Sequence, residues 1–574
     1  MQTKSTPKIQ RRPLAEKATE TLKTAGIPSL LARLYASRGI EDASELDTGL
    51  AGLLRPSTLL NADKAAVILA DAIIAKKRIV CCGDFDADGV NSTAIMLRAF
   101  QMFGARPVDV KMPVRKLHGY GLSTLLVAEA VEQFKPDLIV TVDCGISSFE
   151  GVDLARKLGI STVVTDHHLP SDKGLPDAIC IVNPSQPDDK FESKHLCGAG
   201  VIFYVMLALR AELRSRDYFK SNNIPDPNLG ELLDLVALAT VADVVKLDKN
   251  NRILVECGLK RIRDGLACHG IKALMRVSSR FEPKASTYDL SFGCAPRLNS
   301  SGRLDDMTLG LQCLMADDST QALKLATELD KLNQERREIE ADMKEAAETA
   351  LNGVQVSGGY SLVMFDSAWH EGVIGILASR LKDQHGRPTI IFAKGSHGVL
   401  KGSGRSIPGF HLRDALDVVF KRNSDISIGF GGHAMAAGMT IHADKLNEFK
   451  IEFDKVVREM LSEADLNQAI ETDGEISNCE ISVDSVKLLE MAVWGQGFPQ
   501  PIFDGTVTLI DQKILKEKHL KLRVEKEGVI YDAIWFFQNN TIPAQNRLVY
   551  SLGINEFNGR KSVQMLVKSA ERVE

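Results

Sequence analysis

The sequence predicts an α/β protein of two lobes joined by a long helix, with a small β-barrel after them, and three patterns predict it. Apolar runs alternate with amphipathic stretches from about residue 60. One tract rich in Ala, Leu, Glu and Lys crosses residues 319–353. Five short strand-like runs then crowd into roughly the last hundred residues.

The elements follow in order. Residues 1–50 read as a polar start followed by short helices such as PSLLARLYASRG, with no legible chemistry. Beyond them RIVCCG, VNSTAIMLRAFQMFG, DLIVTVD, GVDLARKLG and STVVTD alternate as strand, helix, strand, helix, strand. That order builds a parallel sheet covered by helices, in which ligands bind at the carboxyl ends of the strands. Between Ser319 and Gly353, Leu325, Leu329, Leu332, Ile339, Met343 and Ala346 fall on one helical stripe, with Ser319 and Thr320 as caps and Gly353 as a stop. Standing between two α/β regions, this helix reads as a connector. YSLVMF, GVIGILASRL and PTIIFA then repeat the strand–helix–strand pattern. Finally GTVTLI, HLKLRV, VIYDAIWFF, LVYSLGINEF and SVQMLV, with a turn at Asn558-Gly559, suit a five-stranded OB-type barrel. The expected division is 1–50, 51–318, 319–353 for the connector, 354–464 and 465–574 for the barrel.

Composition narrows the class. At 574 residues, 44% hydrophobic and 25% charged, the chain has the make-up of a soluble multidomain protein. Its start, MQTKSTPKIQRRPLAEKATE, has basic residues without an apolar stretch, and no run of about 18 apolar residues occurs. A cytoplasmic protein without a membrane span is expected. The ten cysteines form no C-x-x-C pair, and Cys81, Cys82, Cys144 and Cys294 sit in or beside apolar runs, so reduced thiols are expected. The net charge of -5 does not itself announce a nucleic-acid partner.

Three successive strands end in aspartate: Gly83-Asp84, Val142-Asp143 and Thr165-Asp166, the last followed by His167 and His168. GDFDADG adds Asp86 and Asp88 at alternate positions behind Asp84. One aspartate after a strand is ordinarily a helix cap. Three in a parallel sheet, with a histidine pair, converge on one small volume, where carboxylates repel unless protonated or bound to cations. Mixed Asp and His donors suit Mn, with Mg as the other choice, and the lack of thiolates argues against a soft metal. So many donors exceed the need of one ion, so two ions about 3.5–4 Å apart are expected, as in phosphoryl hydrolysis, with Asp143 as the bridge. Asp243, ending LLDLVALATVAD, reads equally as a further ligand or as a cap.

GDFDADGVNST, TVDCGIS, VVTDHH and LVALATVADVV resemble the four motifs of the DHH phosphoesterase superfamily. HGYGLS, CGAGVIFY, PRLNSSGRLDD, WHEGVIGILASRL, GSGRS and GFGGHAMAAG narrow the resemblance to its RecJ family of single-strand-specific 5′→3′ exonucleases, with a DHH lobe, a DHHA1 lobe and an OB-like barrel. The resemblance implies that Asp86, Asp88, Asp143, His167 and Asp243 ligate two divalent cations, Mn2+ or Mg2+. Asp84 lies beside that set or within it. Asp143, His167 and His168 form the catalytic group, with His168 facing the scissile phosphate. Arg115, Arg297, Ser403, Arg405 and His433 match positions that hold substrate phosphates, as the planar guanidinium suits. Asn299 and Arg303 read as shaping their loop, and His370 and Glu371 as supporting residues. The sequence departs from many relatives before GYGLS, where Val114-Arg115-Lys116-Leu117-His118 replaces an Asn-Arg-Phe stretch; the arginine survives.

The implied partner is single-stranded DNA with a free 5′ end, degraded processively to 5′ mononucleotides in recombination and repair. The family also implies a single-strand-binding protein and a RecQ-type helicase as associates. In the barrel, Trp535, Phe536, Phe537 and the basic run KILKEKHLKLR offer stacking and charge, although by alternation Phe536 belongs in the barrel core. Two rivals are a small-molecule phosphodiesterase, which needs neither connector nor barrel, and a non-catalytic DNA-binding scaffold, which would have lost ligands that are present here.

Overall fold

The computed structural model of the chain describes residues 8–171, 173–352, 359–396, 398–432, 434–462, 466, 469–557 and 559–573. Its first strand, β1 (Ile9–Arg11), lies in the stretch that the sequence presented as a polar start. Next come five parallel strands, β2 (Ile79–Cys82), β3 (Asp109–Lys111), β4 (Leu138–Val142), β5 (Ser161–Thr165) and β6 (Cys180–Val182), in the spatial order β3-β2-β4-β5-β6. The helices between and after them include α1 (Ala87–Met102), α2 (Thr124–Phe134), α3 (Phe149–Lys157), α4 (Gly198–Ser215), α5 (Leu233–Ala242) and α6 (Ala295–Leu304). IVCC and LIVTV are buried at every position because both faces of the sheet are covered, which explains continuous apolar runs instead of alternation. The pleat divides them: Val80, Cys82, Ile139 and Val164 pack with Leu126 of α2 and Val152 of α3, while Cys81, Val140 and Val163 face the cluster that contains α1, α4 and α5.

The connector is one helix, α7 (Ser319–Asn352). Asp318 caps it, its Oδ1 accepting the N–H of Thr320 and Gln321; the sequence had offered Ser319 and Thr320 for that role. The stop expected at Gly353 lies outside the described residues. The apolar stripe divides between the lobes: Ala322, Leu325, Ala326 and Leu329 enter the first core, Met343 and Ala347 the second, and Ala346 is exposed. Between these patches Asn333, Arg336 and Glu340 are buried and mutually bonded, with Glu340 reaching Arg380 of the second lobe at 2.9 Å.

That lobe holds a mixed sheet of β7 (Leu362–Phe365), β8 (Thr389–Lys394), β9 (Val399–Arg405), β10 (Ser427–Gly432) and β11 (Ala436–His442). The order is β10-β11-β9-β8-β7, with only β7 and β8 parallel. Gly402 is required in β9, because a Cβ there would lie 2.4 Å from the Phe392 ring. Strand β12 (Ile470–Thr472) pairs in parallel with β1. The last five strands, β13 (Phe503–Leu515), β14 (His519–Lys526), β15 (Val529–Trp535), β16 (Gln545–Phe557) and β17 (Arg560–Arg572), close into a barrel, as the five strand-like runs predicted. Phe536 is a correction: β15 ends at Trp535, so the alternation stops there, leaving Phe536 50% and Phe537 88% exposed beside His519.

The barrel is clasped to the amino-terminal segment by charge. Asp504, fully buried, accepts from Arg11, Arg547 and Thr472, while Arg38 holds Asp473 at 2.8 Å. Tyr35, Trp494 and Phe498 stack beside this clasp. All ten cysteines are free thiols, and among the described residues no helix is long and apolar enough to cross a membrane.

Candidate metal centre

The site lies where the parallel strands end. After β2 the chain turns so that Asp86 caps α1, its Oδ1 accepting the N–H of Asp88 and of Gly89 at 3.0 Å. Asp88, on the first turn, meets the start of α4, where the Gly198 N–H donates to Oδ2 at 2.6 Å and the Ala199 N–H to Oδ1 at 2.9 Å. A helix N-terminus is a natural seat for that negative charge. Asp143 follows β4 directly at φ +62°, and Asp243 ends α5 next to Val244 at φ +59°. Left-handed backbone at a non-glycine residue, and above all at a β-branched one, is strained and persists only where the surroundings hold it. Both strained positions flank the same cluster.

His167 occupies its middle. Its Nε2 lies 3.2 Å from Asp143 Oδ1, 3.5 Å from Asp243 Oδ2 and 3.7 Å from Asp88 Oδ2. Three overlapping donor sets result, each with its ligand atoms within 4.8 Å of one another: Asp143, His167 and His168; Asp88, His167 and Asp243; Asp84, Asp86 and Asp143. Burial first, and then mutual repulsion, push the carboxyls of Asp84, Asp143 and Asp243 well above the ordinary range, and that of Asp88 up to about 6. Asp84 Oδ1 and Asp143 Oδ1 are buried and accept no hydrogen bond among the described residues. Oxygen and imidazole donors held in this state fit a divalent cation.

Asp166 does something else. Its buried carboxylate accepts from the Ile146 N–H at 2.9 Å, the N–H of His167 and of His168, and His168 Nδ1 at 2.7 Å. Burial alone would lower the pKa of His168, but the bond and charge of Asp166 prevail and raise it to about 9. The Tyr120 hydroxyl also reaches His168 Nδ1, at 2.9 Å. The imidazole is thereby fixed in orientation by Asp166 and Tyr120.

Beside the acidic cluster stands a cationic one. Arg115 stacks on the Phe85 ring with its guanidinium carbon 4.0 Å from the centroid. Burial, followed by the charges of Arg115 and Arg405, brings Arg303 down to about 9, and burial and then Arg115 act on Arg405 in the same direction. Arg405 donates to Ser403 Oγ at 3.1 Å, and Arg303 to the Gly372 carbonyl at 3.0 Å, so residues of both lobes meet here. Arg303, read from sequence as a loop-shaping residue, therefore belongs to the cationic group. Arg297 is engaged elsewhere: its guanidinium pairs with Asp330 of α7 at 2.7 Å and donates to the Gly293 carbonyl at 2.6 Å. Asn299 does shape the site, its Oδ1 accepting the Ala87 N–H at 2.8 Å. His370 Nδ1 accepts the Gly372 N–H at 3.2 Å, and Glu371 lies 3.7 Å from Lys116. His433 lies outside the described residues. Tyr120 and Gly198 are the residues that sequence reasoning did not single out, although each lies within a quoted motif; Asp166, read from sequence as one of three converging strand-end carboxylates, stands outside the three donor sets and holds His168 instead.

Three family models match the chain in order: the DHH family N-terminal domain over residues 78–240, the DHHA1 domain over 356–459 and the RecJ OB domain over 472–569. The chain is 45% identical over 571 residues to the single-stranded-DNA-specific exonuclease RecJ of Dickeya dadantii, covering 98% of each chain, and 46% identical over 556 residues to that of Escherichia coli, covering 95% of this chain and 96% of the other. Among solved structures, RecJ of Thermus thermophilus in complex with Mn2+ matches with a TM-score of 0.82 at 27% identity, over 99% of this chain and 79% of that one. The same protein in complex with Mg2+ matches with a TM-score of 0.75 at 25% identity, over 99% of this chain and 78% of that one. With likeness running along nearly the whole sequence and through each domain in turn, the chain belongs to the RecJ family.

Proposed function

We propose that the chain is a metal-dependent exonuclease that degrades single-stranded DNA from a free 5′ end. The observation that carries this reading is the juxtaposition of an acidic cluster able to hold divalent cations with a cluster of three guanidiniums from two lobes, suited to phosphate. Asp84, Asp86, Asp88, Asp143, His167 and Asp243 would hold two Mn2+ or Mg2+ ions, with Asp143 and His167 shared between donor sets. Such ions supply polarisation of the scissile phosphate and a water acidified for in-line attack. His168, aimed by Asp166 and Tyr120, steadies negative charge that develops on the phosphate oxygens. Arg115, Arg303 and Arg405, with Ser403, hold the phosphate at the 5′ side and so register the strand. The exposed Phe536 and Phe537 of the barrel supply stacking for the strand beyond.

The division into a helical start, catalytic lobe, connector, substrate-binding lobe and barrel belongs to the same proposal. The test is digestion of long single-stranded DNA labelled at either end, with and without Mn2+. Early release of the 5′ label, dependent on metal and absent on blunt duplex, is expected. Early loss of the 3′ label, or equal attack on duplex, refutes the reading.

A further inference from the structure

On the first lobe, remote from the metal centre along α6, three aromatic side chains are exposed within twelve residues of chain: Phe281 (64%), Tyr288 (52%) and Phe292 (62%). Rings of this size are ordinarily buried for the area they remove from water, so three together on a surface mark a contact face. Tyr288 and Phe292 lie against each other with centroids 4.7 Å apart and planes inclined by 35°. The Arg280 guanidinium sits 5.4 Å over the Tyr288 ring and pairs with Asp289 at 3.4 Å. A groove of about 420 Å3 beside them is lined by Arg263, Arg276, Arg280, Phe281 and Glu282, three guanidiniums to one carboxylate, with Gly265 and Pro283.

The backbone holds the rings firmly. Ser286 and Asp289 form a reciprocal capping box, and residues Leu290–Cys294 make a π-helical turn that runs directly into α6. Gly293 packs close to Ser278 and Arg280, joining the two ends of the segment. The far end of α6 carries Arg303, and on the other side Lys284 lies 3.9 Å from Glu556 of the barrel. The aromatic face thus stands between the cationic cluster and the barrel.

We infer that Tyr288 and Phe292, flanked by Arg276 and Arg280, form a base-stacking platform that grips the single strand on its 3′ side as it leaves the metal centre for the barrel. The inference rests on the exonuclease reading and adds a subsite to it. Rings supply π-faces that every base fits, and guanidiniums supply charge for the phosphates, so the grip is indifferent to sequence. Eleven residues separate Phe292 from Arg303, which is about 16 Å at the helical rise. A stacked strand advances about 3.4 Å per nucleotide, so the platform meets about the fifth nucleotide.

The test compares a strand of about 20 nucleotides with a trinucleotide too short to reach, for the wild type, the Tyr288→Ala/Phe292→Ala double variant and Phe292→Trp. The double variant is expected to raise KM on the long strand at least about fivefold, the loss of one stacked base, while its kcat/KM on the trinucleotide stays within about twofold. Phe292→Trp, which keeps a ring, retains the long-strand KM. An unchanged KM on the long strand, or an equal loss on both lengths, overturns the platform. Independently of turnover, wild-type protein in EDTA is irradiated with strands carrying 5-bromodeoxyuridine at single positions. Crosslinking to the peptide containing Tyr288 and Phe292, strongest near the fifth nucleotide, supports the platform; its absence at every position overturns it. Crosslinking without metal-dependent turnover would overturn the exonuclease reading and leave the platform standing.

Discussion

Replacing Gly198 with alanine should disable the metal centre without unfolding the chain. Gly198 opens α4, and its N–H holds Asp88 while its bare Cα faces Asp143. A Cβ added there would stand 2.5 Å from Asp143 Cβ and Oδ1, whereas ordinary contact begins at 3.4 Å. Asp143 must therefore withdraw by about 1 Å, a misplacement that costs a reacting constellation about a hundredfold. That corresponds to about 2.7 kcal/mol of transition-state stabilisation in kcat/KM. The assay is the initial rate of nucleotide release from end-labelled single-stranded DNA across a Mn2+ titration, with a thermal melt of each variant. Gly200→Ala is the control in the same helix, since its Cβ would meet flexible side-chain atoms of Leu196, the nearest at 3.0 Å. Activity of Gly198→Ala within about threefold of wild type at every Mn2+ concentration would refute the argument that Asp143 is held in place by a missing side chain.

The remaining expectations are as direct. Mn2+ should raise Tm, by an increment equivalent to about 2.7 kcal/mol at a hundredfold excess over Kd, and Asp143→Asn should raise the metal-free Tm while shrinking that increment, because it removes both a repelled charge and a ligand. An unaltered increment would contradict the site. Arg303→Ala should raise KM for 5′-phosphorylated strands at least about tenfold with little change in Tm, whereas Arg297→Ala should lower stability by about 2–3 kcal/mol through the loss of its charged bonds to α7, with the smaller effect on KM; the reverse pattern in melts and kinetics would sink the assignment. In the clasp, burial opposes ionisation of Asp504 but the bonds from Arg11, Thr472 and Arg547 outweigh it and hold its pKa below the ordinary value. A depressed folded pKa means that this stabilisation is complete above the unfolded value of about 3.9 and is lost as pH falls through the folded one. The Tm difference between wild type and Asp504→Asn should accordingly be constant from neutrality to about pH 5 and collapse below about pH 4. A difference that grows on acidification would show the sign to be wrong.

The parts legible in the sequence were those where one physical demand dominates. A strand buried on both faces admits only an apolar run, so IVCC and LIVTV declared themselves, and the carboxylates behind them followed from where parallel strands end. The connector was visible through its stripe, although not its buried polar middle, where Arg336 and Glu340 satisfy each other as exposed residues also would. Strands β9 and β10 were hidden because VLKGSGR and SIGFGG are glycine-rich, which suppresses the strand signal for reasons of close packing such as that of Gly402 on Phe392. Arg297 and Arg303 occupy different sides of one helix, six residues apart. Spacing alone could not say that the first faces α7 and the second the cationic cluster, because that depends on how α6 is rolled by Asn299 and by Gly302, whose Cβ would collide with the Phe85 carbonyl. Phe536 was misplaced by extending alternation one residue past the end of its strand.

The pairing of β1 with β12 also sets a timetable for synthesis. The bonded residues Arg12 and Asp473 are 461 positions apart, so the first strand leaves the ribosome long before its partner exists. At about 5–20 residues per second the wait lasts about 20–90 s, during which both sheets of the two lobes can already close. The barrel strands emerge last, and the clasp of Arg11 on Asp504 forms only when nearly the whole chain is made. A ribosome-stalled chain that has extruded residues up to about 460, with β12 still inside the ribosome, should therefore carry folded lobes with its amino-terminal arm open to protease. Release of the full length should close that arm, making protection of Arg11 and Arg12 a clock for completion.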